Sequence, residues 1–242
     1  MGLFDLPAPL FAFLDSGLGT FAPPLARLLI WGAAGAVVSM GVYWLLSPQQ
    51  RITAAKAEAL AARQALDAHE GEFGAAWPLM RRMLALAMRQ LGLVLLPAVV
   101  ASLPVLFLLA WLSTAYGYGF PADEAAVAVR VTPEAYDARL EQGAAGEAAH
   151  AAVVVDGQGE ETLRAPLPVP VTMLHKRQWW NALFGNPAGY LPAAGEIQWI
   201  ELDLPERRYL PFGPAWLGAW YTVFFTSLLV VSIVIKVVWR IE

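Results

Sequence analysis

The sequence predicts a membrane α-helical fold: three transmembrane helices with a cytoplasmic helical hairpin, plus a small β-rich extracytoplasmic domain between the second and third spans. Three observations predict it. The chain has 242 residues, 58% hydrophobic and only 15% charged, and its apolar residues gather in three long runs rather than at a globular period. Its basic residues are unevenly shared among the segments between those runs. The longest of these segments switches to a two-residue hydrophobic period.

The runs cover 28–46, 91–112 and 211–235, with 19, 22 and 25 uncharged residues. Each can cross a hydrocarbon core of about 30 Å as a helix rising about 1.5 Å per residue. The first is expected to be a retained span. Residues 1–24 hold Asp5 and Asp15 but no Lys or Arg, so a basic n-region is missing, and the run is too long for a signal-peptide h-region. "MGLFDL" has the glycine of a myristoylation signal but Leu6 where Ser or Thr is required, so lipidation is not supported.

Charge sets the expected topology. Residues 47–90 carry six basic and four acidic residues, and 113–210 carry seven basic and thirteen acidic. By the positive-inside rule, 1–24 and 113–210 lie outside, whereas 47–90 and the tail at 237–242 are cytoplasmic. The membrane expected is the bacterial inner (plasma) membrane. The spans are bounded at 25–46, 91–112 and 211–236. Cysteine is absent, which excludes disulfides and thiolate metal sites.

Residues 1–24 contain four prolines and three glycines, too broken for a span, and are expected along the outer interface. In the first span Gly32, Gly35, Ala36 and Ser39 form small-xxx-small pairs suited to close helix packing. Arg27, at its outer end, is expected to snorkel to the headgroups. Beyond Ser47-Pro48, a helix begins near Arg51 with a coiled-coil-like seam of Ile52, Ala55, Ala59, Ala62, Leu66 and His69. "EGEFGAAWP" breaks it. "PLMRRMLALAMRQLGLVLLP" (78–97) then runs back as a basic, Met-rich helix that enters the second span, where Pro97 and Pro104 favour kinks.

In 113–210, "AVAVRV" (126–131) and "EIQWIELDL" (196–204) alternate as strands, and Asp156-Gly157 marks a hairpin turn. Thr132-Pro133-Glu134 predicts a short helix over 133–141. "HKRQWWNALFGNP" (175–187) reads as a short helix or loop whose Trp179, Trp180 and Phe184 meet the outer membrane surface or a partner protein.

Catalytic signatures are missing. No Asp, Glu, Lys or His lies within a span body, which disfavours proton coupling. His69, His150 and His175 lack metal-ligand spacing and are expected to be solvated. No phosphate loop, nucleophile elbow or dinucleotide fingerprint occurs, so no enzyme, no cofactor and no nucleic-acid partner is expected. The polar groups left in the membrane region are hydroxyls: Ser102, Tyr221, Thr222, Thr226, Ser227 and Ser232. They either bond back to their own helices or line a mildly hydrophilic groove.

The order of parts, with "MRRMLALAMRQLGLVLLP" entering a Pro-containing second span and the aromatic, hydroxyl-bearing "WLGAWYTVFFTSLLVVSIVIKVV" (216–238) forming the third, resembles the YidC/Oxa superfamily of membrane protein insertases. The likeness is to its three-span members, the archaeal YidC-like proteins and the third subunit of the endoplasmic reticulum membrane complex. It covers about 27–112 and 212–240. The groove arginine of the family's bacterial members has no counterpart inside a span; the nearest arginines, Arg81, Arg82 and Arg89, stand at the cytoplasmic mouth.

The resemblance implies an insertase or membrane-protein assembly chaperone. Met80, Met83 and Met88 would accept varied apolar clients, and the three arginines would attract acidic client residues or anionic headgroups. The same residues also suit plain hairpin packing and positive-inside topology. The alternative is a non-catalytic accessory subunit fixed in a larger membrane complex. Either way the expected partners are membrane lipids and client proteins or one fixed membrane protein, making the chain part of a hetero-oligomer.

Overall fold

The computed structural model describes residues 2–68, 73–122, 127–143, 148 and 150–240. Among these, three helices are long and apolar enough to cross a membrane: Pro24–Leu46, Trp77–Tyr116 and Trp220–Trp239. The remaining order is a short N-terminal helix, a polar helix and two small antiparallel sheets. We label the helices α1 (Ala8–Leu18), α2 (Pro24–Leu46), α3 (Gln49–Asp67), α4 (Phe73–Tyr116), α5 (Ala215–Gly218) and α6 (Trp220–Trp239). The strands are β1 (Val129–Thr132), β2 (Asp137–Gln142), β3 (His150–Val155), β4 (Glu161–Leu167), β5 (Met173–His175) and β6 (Trp199–Leu202).

The chain divides into two compact units, with boundaries inside α2, α4 and α6. One holds the residues up to Ile30 together with Leu106–Phe225; the other holds Trp31–Val105 and the residues from Thr226 onward.

In the first unit, β1, β6 and β5 form one sheet in that order, and β2, β3 and β4 form the other, all pairs antiparallel. Alternation decides what each strand buries. Val131 lies opposite Ile200 and Leu174 opposite Ile200 from the other side, so one row of aliphatics crosses the first sheet. From the second sheet Leu140, Ala152, Val154, Ala165 and Leu167 join the same core. On the far face of β3, Val153 is flanked by Arg139 and Arg164, and Glu141 ties these arginines together at 2.5 and 2.9 Å. Val153 is nevertheless fully buried on this face, so the middle of β3 is buried on both faces.

The hairpin turn sits where the sequence places it. Asp156 Oδ1 accepts from the backbone N–H of Gln158 and Glu160, and Gly159 takes the positive φ of +85° that closes the loop. The short helix expected over 133–141 is absent. Tyr136 N–H donates to the Pro133 carbonyl in a single turn, after which Asp137–Gln142 pairs with β3 along its whole length. Tertiary pairing with a fully buried strand outweighs the local helix-start signal. The stretch 175–187 also opens as the end of a strand, with His175 opposite Trp199, before its single 3-10 turn at Trp179–Ala182.

In the second unit, the small residues of α2 are covered as expected: Gly32, Gly35 and Ala36 are buried, and the Ser39 hydroxyl donates to the Ala101 carbonyl of α4 at 2.7 Å. In α3, Ile52, Ala55 and Ala62 are buried and Ala59 and Leu66 half-buried, so burial follows the heptad seam. His69, its last position, lies outside the described residues, as does part of the break at 70–78. Helix α4 continues unbroken through Pro78, Pro97 and Pro104. Its 44 residues measure about 66 Å, roughly twice a hydrocarbon core. The third apolar run does not become helix at once. Pro211, Gly213 at φ +82° and Pro214 lead into the one-turn α5, extended Ala219 interrupts, and only Trp220–Trp239 forms the long helix.

Candidate functional site

The basic, Met-rich stretch occupies the first half of α4, and its helical period sorts the sequence-predicted residues onto different rows. Trp77, Arg81, Leu84, Met88, Leu91, Leu95, Val99 and Ser102 recur at spacings of 4, 3, 4, 3, 4, 4 and 3, and every one of them is exposed. This single stripe joins Arg81 and Met88, at 55% exposure, to Ser102 inside the apolar run. Met80 and Met83 are half-buried and do not share its openness. Arg82 and Arg89 form a neighbouring exposed row, and Arg89 pairs with Glu58 of α3 at 3.1 Å with both side chains at least half exposed. Such a pair fastens the two helices only weakly.

The hydroxyls do not act as one set. Ser102 donates to the Val99 carbonyl at 2.7 Å, and Thr222 donates to the Trp216 carbonyl. Both therefore spend their proton close by in sequence. Tyr221 and Thr226 are exposed and Ser227 is half-buried on α6.

The aromatic loop is held from an unexpected direction. Asp5 Oδ2 accepts from the backbone N–H of Gly2 and of Gly185, both at 2.8 Å, and Phe4 N–H donates to the Leu183 carbonyl at 2.9 Å. Gly2 is required here, since a Cβ would stand 2.5 Å from both Gly185 N and Leu183 O. The Phe4 ring stacks on Phe184 at 4.7 Å and meets Phe107 of α4 at 5.3 Å. Within the loop, Asn181 is buried and bonds both the Gln178 N–H and the Phe184 carbonyl, leaving Trp179 85% exposed at the tip.

Sequence reasoning missed a polar cluster in the same unit. Arg27 has a protein partner: its guanidinium pairs with Asp15 at 2.7 Å and lies 5.6 Å from the centre of the Tyr116 ring. The Tyr116 hydroxyl donates to the other Asp15 oxygen, and the Tyr209 hydroxyl donates to the Tyr116 carbonyl at 2.8 Å. Burial pushes the Tyr209 phenol above its ordinary value. The signal was present: Asp5 and Asp15 are the only charges in 1–24, and a carboxylate in so apolar a segment has to find donors. Beside this cluster, a cavity of about 710 Å³ opens between Ala8 and Ala12 of α1, Trp111 of α4, Pro187, Tyr190 and Arg207.

Two of the histidines are half-buried rather than fully solvated. His150 stacks on Phe120 at 3.9 Å, while His175 sits against Trp180 and Tyr190 with its Nδ1 2.7 Å from the Lys176 carbonyl. Among the described residues, no group of three His, Asp or Glu side chains is placed to hold a metal ion. Comparison with protein-family models, curated proteins and solved structures gives no match for this chain.

Proposed function

We propose that this chain is an integral membrane protein that works, without enzymatic chemistry, as an insertase or assembly chaperone of the YidC/Oxa type. The observation that carries the reading is the exposed stripe of α4, which runs without interruption from Arg81 through Leu84 and Met88 to Ser102. A helix of about 66 Å cannot be contained in one bilayer, so the half that carries the arginines projects beyond the hydrocarbon while the stripe continues into it. A client segment arriving at the basic end would meet an apolar, polarizable surface leading inward, with Met88 able to fit varied side chains. In this reading α3 and the first half of α4 form a cytoplasmic hairpin, the β-rich domain lies outside, and the membrane is the bacterial inner membrane. Partners are lipids and client membrane proteins, in a hetero-oligomer that forms and dissolves with each client.

Photocrosslinkers replacing Met88, and Trp180 for comparison, test this in intact cells. The expected result is capture of many nascent membrane proteins from Met88. Capture of one stoichiometric neighbour from both positions would overturn it in favour of a fixed accessory subunit.

A further inference from the structure

We infer that the aromatic loop 179–184 and the N-terminal segment form one lipid-embedded collar around the end of α4, sunk into the bilayer rather than resting on it. The inference builds on the reading of the chain as an integral membrane protein. Depth is the first argument. Phe107 lies five residues before the end of the uncharged run at Leu112 and nine before the end of α4 at Tyr116, about 8 and 14 Å inside. Phe4 touches that ring and also stacks on Phe184, so the loop and the N-terminus meet α4 at a level within its apolar part.

The second argument is what the collar exposes. Leu6, Leu10, Phe13 and Leu14 recur at helical spacing along the outside of 2–18, and all are exposed, Phe13 at 73%. The loop adds Trp179, Leu183 and Phe184, also exposed. A soluble surface rarely leaves such a continuous apolar band uncovered. Its continuity with the flank of a membrane-spanning helix identifies the cover as lipid.

Charge supplies the third argument. Asp5 is the only charged side chain among residues 2–14, and the carboxylate oxygen that takes both the Gly2 and Gly185 N–H groups faces the collar's own backbone. The pin that joins the two parts thus also gives the one charge that would oppose immersion two backbone donors, which lowers the cost of taking it out of water. Exposed Arg177, two residues before the Trp179 indole, is placed to reach headgroup phosphates, and indoles favour that level of the bilayer.

The chain lacks cysteine, so single-cysteine variants carrying an environment-sensitive fluorophore are clean probes. Phe13→Cys and Trp179→Cys report on the collar, Gln158→Cys on the β3–β4 turn, and Leu229→Cys on the exposed side of α6. The full chain is reconstituted in phosphatidylethanolamine and phosphatidylglycerol vesicles. Quenching by doxyl-labelled lipid is compared with quenching by aqueous iodide. The collar probes are expected to show several-fold stronger lipid quenching than the Gln158 probe and to be shielded from iodide. If they behave like the Gln158 probe while the Leu229 probe is lipid-quenched, the collar is wrong and the membrane reading stands. Shielding of the collar probes from both quenchers would assign the band to a protein neighbour and overturn it. Absence of lipid quenching at all positions, Leu229 included, would overturn both readings.

Discussion

The β-rich region and the α3–α4 hairpin solve the same packing problem with opposite means. The β-region joins two sheets through Leu140, Val154, Leu167, Leu174, Ile200 and Leu202, large side chains buried to within a few per cent. The hairpin presents a seam of Ile52, Ala55, Ala59, Ala62 and Leu66, in which three of the five positions are alanine, and its cross-helix ion pair is exposed. Apolar burial contributes about 25 cal/mol per Å², so a leucine row stabilises far more than an alanine row of equal length. The β-region is therefore expected to be the rigid part. The hairpin, with little area to lose, can separate and re-form.

Substitutions at matched positions sharpen that contrast. The largest effect is expected from Ile200→Ala, which empties the centre of the first sheet: a loss of about 3 kcal/mol, or roughly a hundredfold faster amide exchange in β1, β5 and β6. If exchange there were unchanged, the β-region would not share one core. A smaller and purely local effect is expected from Ala55→Leu. Ala55 is 1% exposed, so the added atoms push α3 outward at a cost of about 1 kcal/mol, read as faster exchange in α3 with the strands unaffected. Loss of strand protection in that variant would show that the hairpin is not the independent, loose element described here.

The smallest effect belongs to Glu141→Gln on the outer face of β3. The hydrogen bond from Arg139, with Arg164 nearby, holds the Glu141 carboxyl below the usual carboxylate range. Its contribution is thus present above the unfolded-state value of about 4.3 and is lost as pH falls through the lower folded value. The variant should differ from the parent only slightly near neutrality, and the difference should vanish in acid. A difference that grew as the pH fell would reverse the sign of this linkage.

Much of this was legible in the sequence because periodicity and uncharged length are local properties. The apolar runs, the Ile52–Ala55–Ala59–Ala62–Leu66 seam and the Asp156 turn need nothing from distant residues. What was not legible depends on partners far along the chain. Pro133 signals a helix start, yet the pairing of Asp137–Gln142 with β3 decides the outcome. The Arg27–Asp15 pair was hidden because its members stand twelve residues apart, on either side of a stretch that holds Gly17, Gly19, Pro23 and Pro24. Apolar content alone predicts a span over 211–236, whereas Gly213 and Pro214 delay the long helix to Trp220. At the candidate site, the sequence named Met80, Met83 and Met88 together. Only the helix's own rotation separates exposed Met88 from its two half-buried companions.

The clasp between Gly2, Asp5 and the backbone of 183–185 has a consequence for biosynthesis. Its two halves are 180 residues apart in the chain. At about 5–20 residues per second, residues 2–5 must wait roughly 10–40 s for the segment that receives them. Residues 2–5 are thus synthesised well before the backbone that secures them. The end of α4 and strands β1 to β5 are made before the clasp can close, whereas β6, the central strand of the first sheet, follows it.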